Sequence, residues 1–228
     1  MLILAIDTAS IYCAVALIHH KSVIARIDER MNKGHAERLI GQITQIITQA
    51  NITLDQVERI AVNVGPGSFT GVRVGVATAR ALALALEIPA VGVSALEALA
   101  AQITLRKNTA SAITVVIEAG REMFYRQDFH NDLTPLGKPK LQKIEHILDD
   151  LPKKTQLTGP AADIIEKHIK NHKINEKIVL EKIPCEAADI VNYAYLAANK
   201  QPQNSPRPLY LRSADAKQQI NFALPRKK

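Results

Sequence analysis

Tryptophan is absent from this chain, and only four phenylalanines and five tyrosines stand among its 228 residues. A core built on large rings is excluded. With 47% of residues hydrophobic, the chain can still bury a proper core of Ala, Ile, Leu and Val, which suits helices lying close on a sheet. Cysteine is almost missing as well. Cys13 and Cys185 are far apart and form no CxxC, which excludes a disulfide framework, and both are expected to be buried thiols in a reducing compartment. A basic leader with a cleavage site is not found at the N-terminus, where Asp7 interrupts the apolar run. The apolar stretch Val74–Leu86 is too short for a bilayer and contains Arg80. The expectation is a soluble cytoplasmic protein with no membrane partner.

Acidic residues are the scarcer charge, 22 against 29 basic, for a net +7. That balance favours association with polyanions without demonstrating it. Much of the excess lies between Lys138 and Lys182 and in the tail Pro225–Lys228, with little aromatic interleaving. A base-stacking surface is therefore not expected in this chain.

The most informative segment present is Asn63-Val-Gly-Pro-Gly-Ser-Phe-Thr-Gly-Val-Arg-Val-Gly75. A β-rich run, Arg59–Val64, enters a loop containing Gly65, Pro66, Gly67, Ser68, Phe69, Thr70 and Gly71, and an Ala/Val/Leu helix leaves it toward Leu86. Glycines allow close backbone approach, and Ser68 or Thr70 can cap the helix. Strand, small-residue loop and helix N-terminus can cradle a phosphate. No Gly-Lys-Ser/Thr follows, so this is not a Walker A loop. A tight turn without ligand accounts for the residues equally well, and both readings stay open.

Periodicity organises the rest. Leu2–Ile6, Tyr12–His19 and Ser22–Glu29 read as strands, and His35–Ala50 as a helix with apolar Ala36, Leu39, Ile40, Ile43, Ile46 and Ile47. Thr53–Gln56 and Ser94–Glu97 are capping boxes, the second opening a helix to Ile103 after a strand at Val91–Val93. The polar stretch Arg106–Ser111 reads as a boundary. Beyond it come a strand pair, Ala112–Glu118 and Met123–Phe129, and a loop at Thr134–Pro139. Helix, strand and helix follow at Ile144–Leu148, Thr155–Thr158 and Ala161–Ile169, then an Ala-rich helix at Glu186–Ala198 and an extended run Gln201–Pro208. The halves suggest a duplicated plan of strand meander plus helices.

Four blocks carry a resemblance: Ile3–Ser10, His35–Leu39, Gly65–Gly71 with Arg73, and Pro208–Arg212. In these the chain resembles the TsaB (YeaZ) family, bacterial proteins that help make threonylcarbamoyladenosine at position 37 of tRNAs reading ANN codons. The glycine block is the specific one. The likeness is strong over 1–104, thin to about 185, and returns at the C-terminal helix and Tyr210–Arg212. It implies an α/β protein of the ASKHA (actin, sugar kinase, Hsp70) fold, two α/β subdomains with mixed sheets. These would be residues 1–106, a smaller unit 107–185, and a segment 186–228 returning to the first.

The resemblance also implies a role without catalysis. The related transferase TsaD carries a metal motif whose two histidines correspond here to Ala95 and Leu99, which cannot coordinate a metal. Glu97 has its simplest role as the partner of Ser94. The implied protein pairs with TsaD, recruits the ATPase TsaE, dimerises with itself when TsaD is absent, and meets tRNA through the complex. It has no cofactor of its own; ATP and Mg²⁺ would enter with the complex. Three rivals remain: a small-molecule phosphotransferase of the same fold, which lacks an assembled acid or base; a metallopeptidase, which lacks the histidines; and a nucleic-acid module resting only on the charge. Where the family often reads Asp-Ala-Arg in its second half, this chain has Glu118-Ala-Gly120 and Arg121, so no role is carried over there.

Single residues have plainer readings beside the functional ones. Asp7, Thr8 and Ser10 lie where ASKHA proteins hold phosphate or metal, but an Asx-type turn is favoured because Thr8 and Ala9 place side chains in the phosphate path. His35, Glu37 and Arg38 are a solvated helix start or part of a partner surface. Gly71, Gly75, Ala79 and Ala83 recur every four residues, opposite Arg73 and Arg80. Such a stripe packs internally or admits a second helix, and the resemblance tilts toward the partner. His168 and His172 have metal spacing but sit among lysines and are taken as solvated, while Tyr193 and Tyr195 are taken as packing residues.

Overall fold

In a computed structural model, which describes residues 1–31, 33–104, 112–171, 179–202 and 205–212, the chain forms two five-stranded mixed sheets. The first holds β1 (Leu2–Asp7), β2 (Tyr12–His19), β3 (Ser22–Arg30), β4 (Arg59–Asn63) and β5 (Ala90–Val93), in the order β3-β2-β1-β4-β5. The second holds β6 (Ala112–Gly120), β7 (Met123–Phe129), β8 (Lys140–Lys143), β9 (Lys154–Gly159) and β10 (Val179–Pro184), in the order β10-β9-β6-β7-β8. In each, the first three strands run antiparallel and the last two join the first in parallel. The duplicated plan is therefore real at the level of topology.

Helices separate and cover the sheets. Helices α1 (His35–Gln49) and α2 (Phe69–Leu86) cover one face of the first sheet, where Leu39, Ile43, Ile46, Val72, Val76 and Ala79 meet Leu4, Ile6 and Val62. Helix α6 (Ile190–Asn199) covers its other face through Tyr193, Ala194 and Ala197. Helix α3 (Ala95–Thr104) packs against α6 and onto the second sheet, where Leu96, Leu99 and Ile103 meet Ile113, Val115 and Phe129. Helices α4 (Ile144–Asp149) and α5 (Ala162–Asn171) close the far side. A helix–sheet–helix–sheet–helix stack results, and the two sheets share the α3/α6 layer.

Local signals explain the elements. Ser94 N–H donates to Glu97 Oε2 at 2.9 Å and Glu97 N–H returns to Ser94 Oγ at 3.0 Å, the expected capping box. Thr53 N–H donates to Gln56 Oε1 at 2.9 Å above the short 3₁₀ turn Leu54–Gln56. The turn between β6 and β7 is made by Arg121 and Glu122, both at positive φ, as a two-residue hairpin requires.

Several expectations are corrected. Strands β8 and β10 were not anticipated: both are short edge strands in a Lys-rich stretch, where alternation is masked by charge. Helix α6 starts at Ile190 rather than Glu186, because Asp189 adopts an extended backbone and caps Val191 N–H at 3.0 Å. Cys13 is buried, with its pKa pushed up to about 11 by burial and the nearby Asp7, but Cys185 is only half-buried. Ile40 points outward at 56% exposure. The boundary stretch Arg106–Ser111, His172 and the tail Pro225–Lys228 lie outside the described residues.

The small-residue stripe is also corrected. By length and composition α2 could cross a membrane, yet its stripe faces the chain's own sheet. Ala79 is fully buried, and a Cβ on Gly75 would sit 2.7 Å from Thr8 Oγ1 and 3.5 Å from a Val62 methyl. The stripe lets α2 approach β1 and β4; it leaves Phe69, Thr70, Arg73 and Arg80 outside. Ala79→Leu is accordingly expected to overpack this core and destabilise the monomer by about 1–3 kcal/mol, read as a lowered midpoint in urea. An unchanged midpoint would place Ala79 at a yielding surface instead.

Candidate functional site

The turn after β1 and the glycine loop after β4 meet at the C-terminal ends of two adjacent parallel strands. Their backbones lock together. Ser68 N–H donates to Ala9 O at 2.8 Å, and Thr8 Oγ1 donates to Gly71 O at 2.6 Å. A Cβ on Gly67 would overlap the Ala9 carbonyl, and one on Gly71 the Thr8 carbonyl. These two glycines are thus required by close approach of the chain to itself. Ser68 also caps α2, accepting from Gly71 N–H at 3.2 Å.

Asp7 is buried at the centre of this junction. Its Oδ1 accepts from Ala9 N–H at 2.8 Å, Ser10 N–H at 3.3 Å and Asn63 Nδ2 at 2.8 Å. This is the expected Asx-type turn. Asn63, which has no role in the sequence reading, bridges the loops: its Oδ1 accepts from Gly65 N–H at 2.8 Å. Its place at the strand end, directly before the loop, is the one available signal. Gly65 and Pro66 are joined by a cis peptide, and Gly65 O accepts from Ala95 N–H at 2.8 Å, so the loop also anchors α3.

Beside the junction lies a cavity of about 340 Å³ between the sheets. Ser10, His35, Gly67 and Ser68 line one side, Ile117, Glu118, Pro160 and Glu186 the other, with Ala95, Leu99 and Tyr193 at its floor. His35 Nε2 is enclosed without a hydrogen-bond partner. Tyr193 is buried, and its pKa is raised well above the ordinary phenol value, by burial first and then by Asp7 and Cys185. Glu97 is held by Ser94 and by Lys200 Nζ at 2.8 Å.

Of the predicted residues only Ser10, His35, Pro66, Gly67 and Ser68 line the cavity. Phe69 and Arg73 face solvent at the start of α2, where Arg73 Cζ sits 3.7 Å from the Phe69 ring centroid and its Nε donates to Tyr210 Oη at 2.9 Å. Thr70 is exposed nearby, whereas Gly75 and Ala79 are in the core. Among the described residues no three His, Cys, Asp or Glu side chains gather as a metal site.

With this geometry in hand, the chain can be set beside known proteins. The family model described as TsaD, tRNA N6-adenosine threonylcarbamoyltransferase, matches residues 23–201. The tRNA threonylcarbamoyladenosine biosynthesis protein TsaB of Buchnera aphidicola subsp. Schizaphis graminum is 32% identical over 209 residues, covering 89% of this chain and 96% of the relative. The chain belongs to the TsaB (YeaZ) family. The Escherichia coli TsaB protein is 39% identical over 132 residues, 58% of this chain and 56% of that one. A crystal structure described as an uncharacterised Pseudomonas aeruginosa protein similar to peptidase YEAZ superposes with a TM-score of 0.75 at 25% identity, covering 92% of this chain and 99% of that one. The ASKHA-type α/β architecture expected of a TsaB-family chain is the one observed.

Burial sets the pKa of Asp7 above the ordinary carboxylate value, against the lowering effect of its hydrogen bonds with Ser10, Ala9 and Asn63. The fold therefore prefers the protonated carboxyl. Its stabilising contribution is complete below the unfolded-state value and is lost as pH rises through the raised one. Asp7→Asn is expected to gain stability relative to the parent between about pH 4 and pH 8, measured by urea melts at both. Any fixed cost of the amide cancels in that difference. A difference independent of pH would show that Asp7 stays ionised in the fold.

Proposed function

We propose that this chain is a non-catalytic partner in tRNA threonylcarbamoyladenosine biosynthesis. In this reading it pairs with the transferase TsaD, supports the ATPase TsaE, and associates with itself when TsaD is absent. The observation that carries the non-catalytic part is the closure of the two loops upon each other. The amides of Ser68 and Gly71 and the Thr8 hydroxyl are spent on bonds inside the chain, and Ala95 and Leu99 offer the cavity only hydrocarbon. ATP and Mg²⁺ belong, on this reading, to the complex rather than to this chain.

A partner surface is available on the outer sides of α1 and α2. Leu84 is 82% exposed and Ile40 56%, with Ala77, Arg80 and Ala81 exposed on the same side of α2 as Leu84. The stripe being internal, contact would fall on this opposite face. A second pair of helices could cover it and gain the burial of these side chains. Leu84→Glu is expected to abolish co-elution with TsaD from the same organism, and self-association with it. The monomer's melting should stay within about 0.5 kcal/mol of the parent, as for a surface change. Unchanged co-elution would move the interface elsewhere, and metal-dependent turnover by the pure chain would overturn the non-catalytic reading.

A further inference from the structure

Phe69, Arg73 and Tyr210 form an ordered, solvent-facing cluster that packing of the core does not require. The ring centroids of Phe69 and Tyr210 are 5.7 Å apart with planes at 41°, and Phe69 and Tyr210 remain 50% and 52% exposed. The Arg73 guanidinium lies 3.7 Å from one ring centroid and 5.8 Å from the other. Tyr210 is brought there by the extended segment 205–212, whose Leu209 N–H donates to Val64 O at 2.8 Å and whose Arg212 Nη1 donates to Ala119 O at 3.2 Å. The rings are therefore held in place from both sheets before any ligand arrives.

The two chain stretches that build the cluster carry charge of one sign. No Asp or Glu occurs from Arg59 to Leu86 or from Lys200 to Arg212. Arg207 is exposed on the same extended segment as Tyr210. Among the described residues, neither Arg207 nor Arg73 meets a carboxylate. Half-exposed π faces with a planar cation fit the flat face of an unpaired base, and Arg207 adds a cation for its phosphates.

We infer that the Phe69–Arg73–Tyr210 cluster is a stacking platform for an unpaired nucleotide of RNA, an inference that rests on the proposed place of the chain in tRNA modification. It departs from the expectation, drawn from the basic second half, that no base-stacking surface exists.

The test uses the full chain and a short fluorescein-labelled single-stranded RNA of mixed sequence, followed by anisotropy, with the matching duplex as control. The parent should prefer the single strand. Phe69→Leu and Tyr210→Leu should each weaken it by about 5- to 150-fold, the range of one lost base–aromatic stack. Phe69→Tyr should retain affinity, and Arg73→Lys should lose part of it although the charge is kept. Thermal melts and co-elution with TsaD should be unchanged in all four. Three results would overturn the platform: no RNA binding by the parent, equal affinity in Phe69→Leu, or loss of TsaD co-elution in Phe69→Leu. The last would assign the cluster to a protein contact while leaving the scaffold role intact.

Discussion

Backbone contact between the β1–β2 turn and the glycine loop constrains everything built around it. Ser68 N–H on Ala9 O and Thr8 Oγ1 on Gly71 O draw together two loops that leave neighbouring parallel strands. Asp7 and Asn63 satisfy the remaining buried amides in the same place. A buried donor left without a partner costs about 1–3 kcal/mol, so these polar groups act as a set. From this junction α2 departs at a fixed angle, α3 is tethered through Ala95 to Gly65, and the segment holding Leu209 docks on Val64.

The same junction changes what the fold can do. In an open arrangement, loop amides at strand ends are available to an anion. Here the chain's own carbonyls and hydroxyls take that place, and Gly67 and Gly71 serve contact with Ala9 and Thr8. The cavity that remains is lined by apolar side chains together with Ser10, His35, Asn63, Ser68 and Tyr193, with Glu118 and Glu186 as the only carboxylates among the described lining residues. No Lys or Arg stands among those lining residues to hold a polyphosphate. The proposed contacts accordingly fall outside the cavity, on the exposed sides of α1 and α2 and on the aromatic cluster at the start of α2.

Much of the first half was legible in the chain because its signals are local. Strand alternation, capping pairs at Thr53/Gln56 and Ser94/Glu97, and the Asx-type turn at Asp7 depend on neighbours within a few residues. The second half was less legible. Lysines on β8 and β10 disguise edge strands, and only pairing with β7 and β9 makes them strands at all. The direction of the Gly71–Gly75–Ala79 stripe was likewise undetermined, since a periodic face states that something approaches closely without stating what.

By itself the sequence determined the fold class, the family through its glycine block, the want of metal ligands at Ala95 and Leu99, and the caps of α2 at Ser68 and of α3 at Ser94. These follow from short-range stereochemistry and from side chains that either can or cannot coordinate. Tertiary structure alone decided that the small-residue stripe turns inward, that the two loops close on each other, and that Tyr210 stands over Arg73 across 137 residues of chain. Such pairings are set by which surfaces the packed sheets bring together, and separation along the chain carries no trace of them.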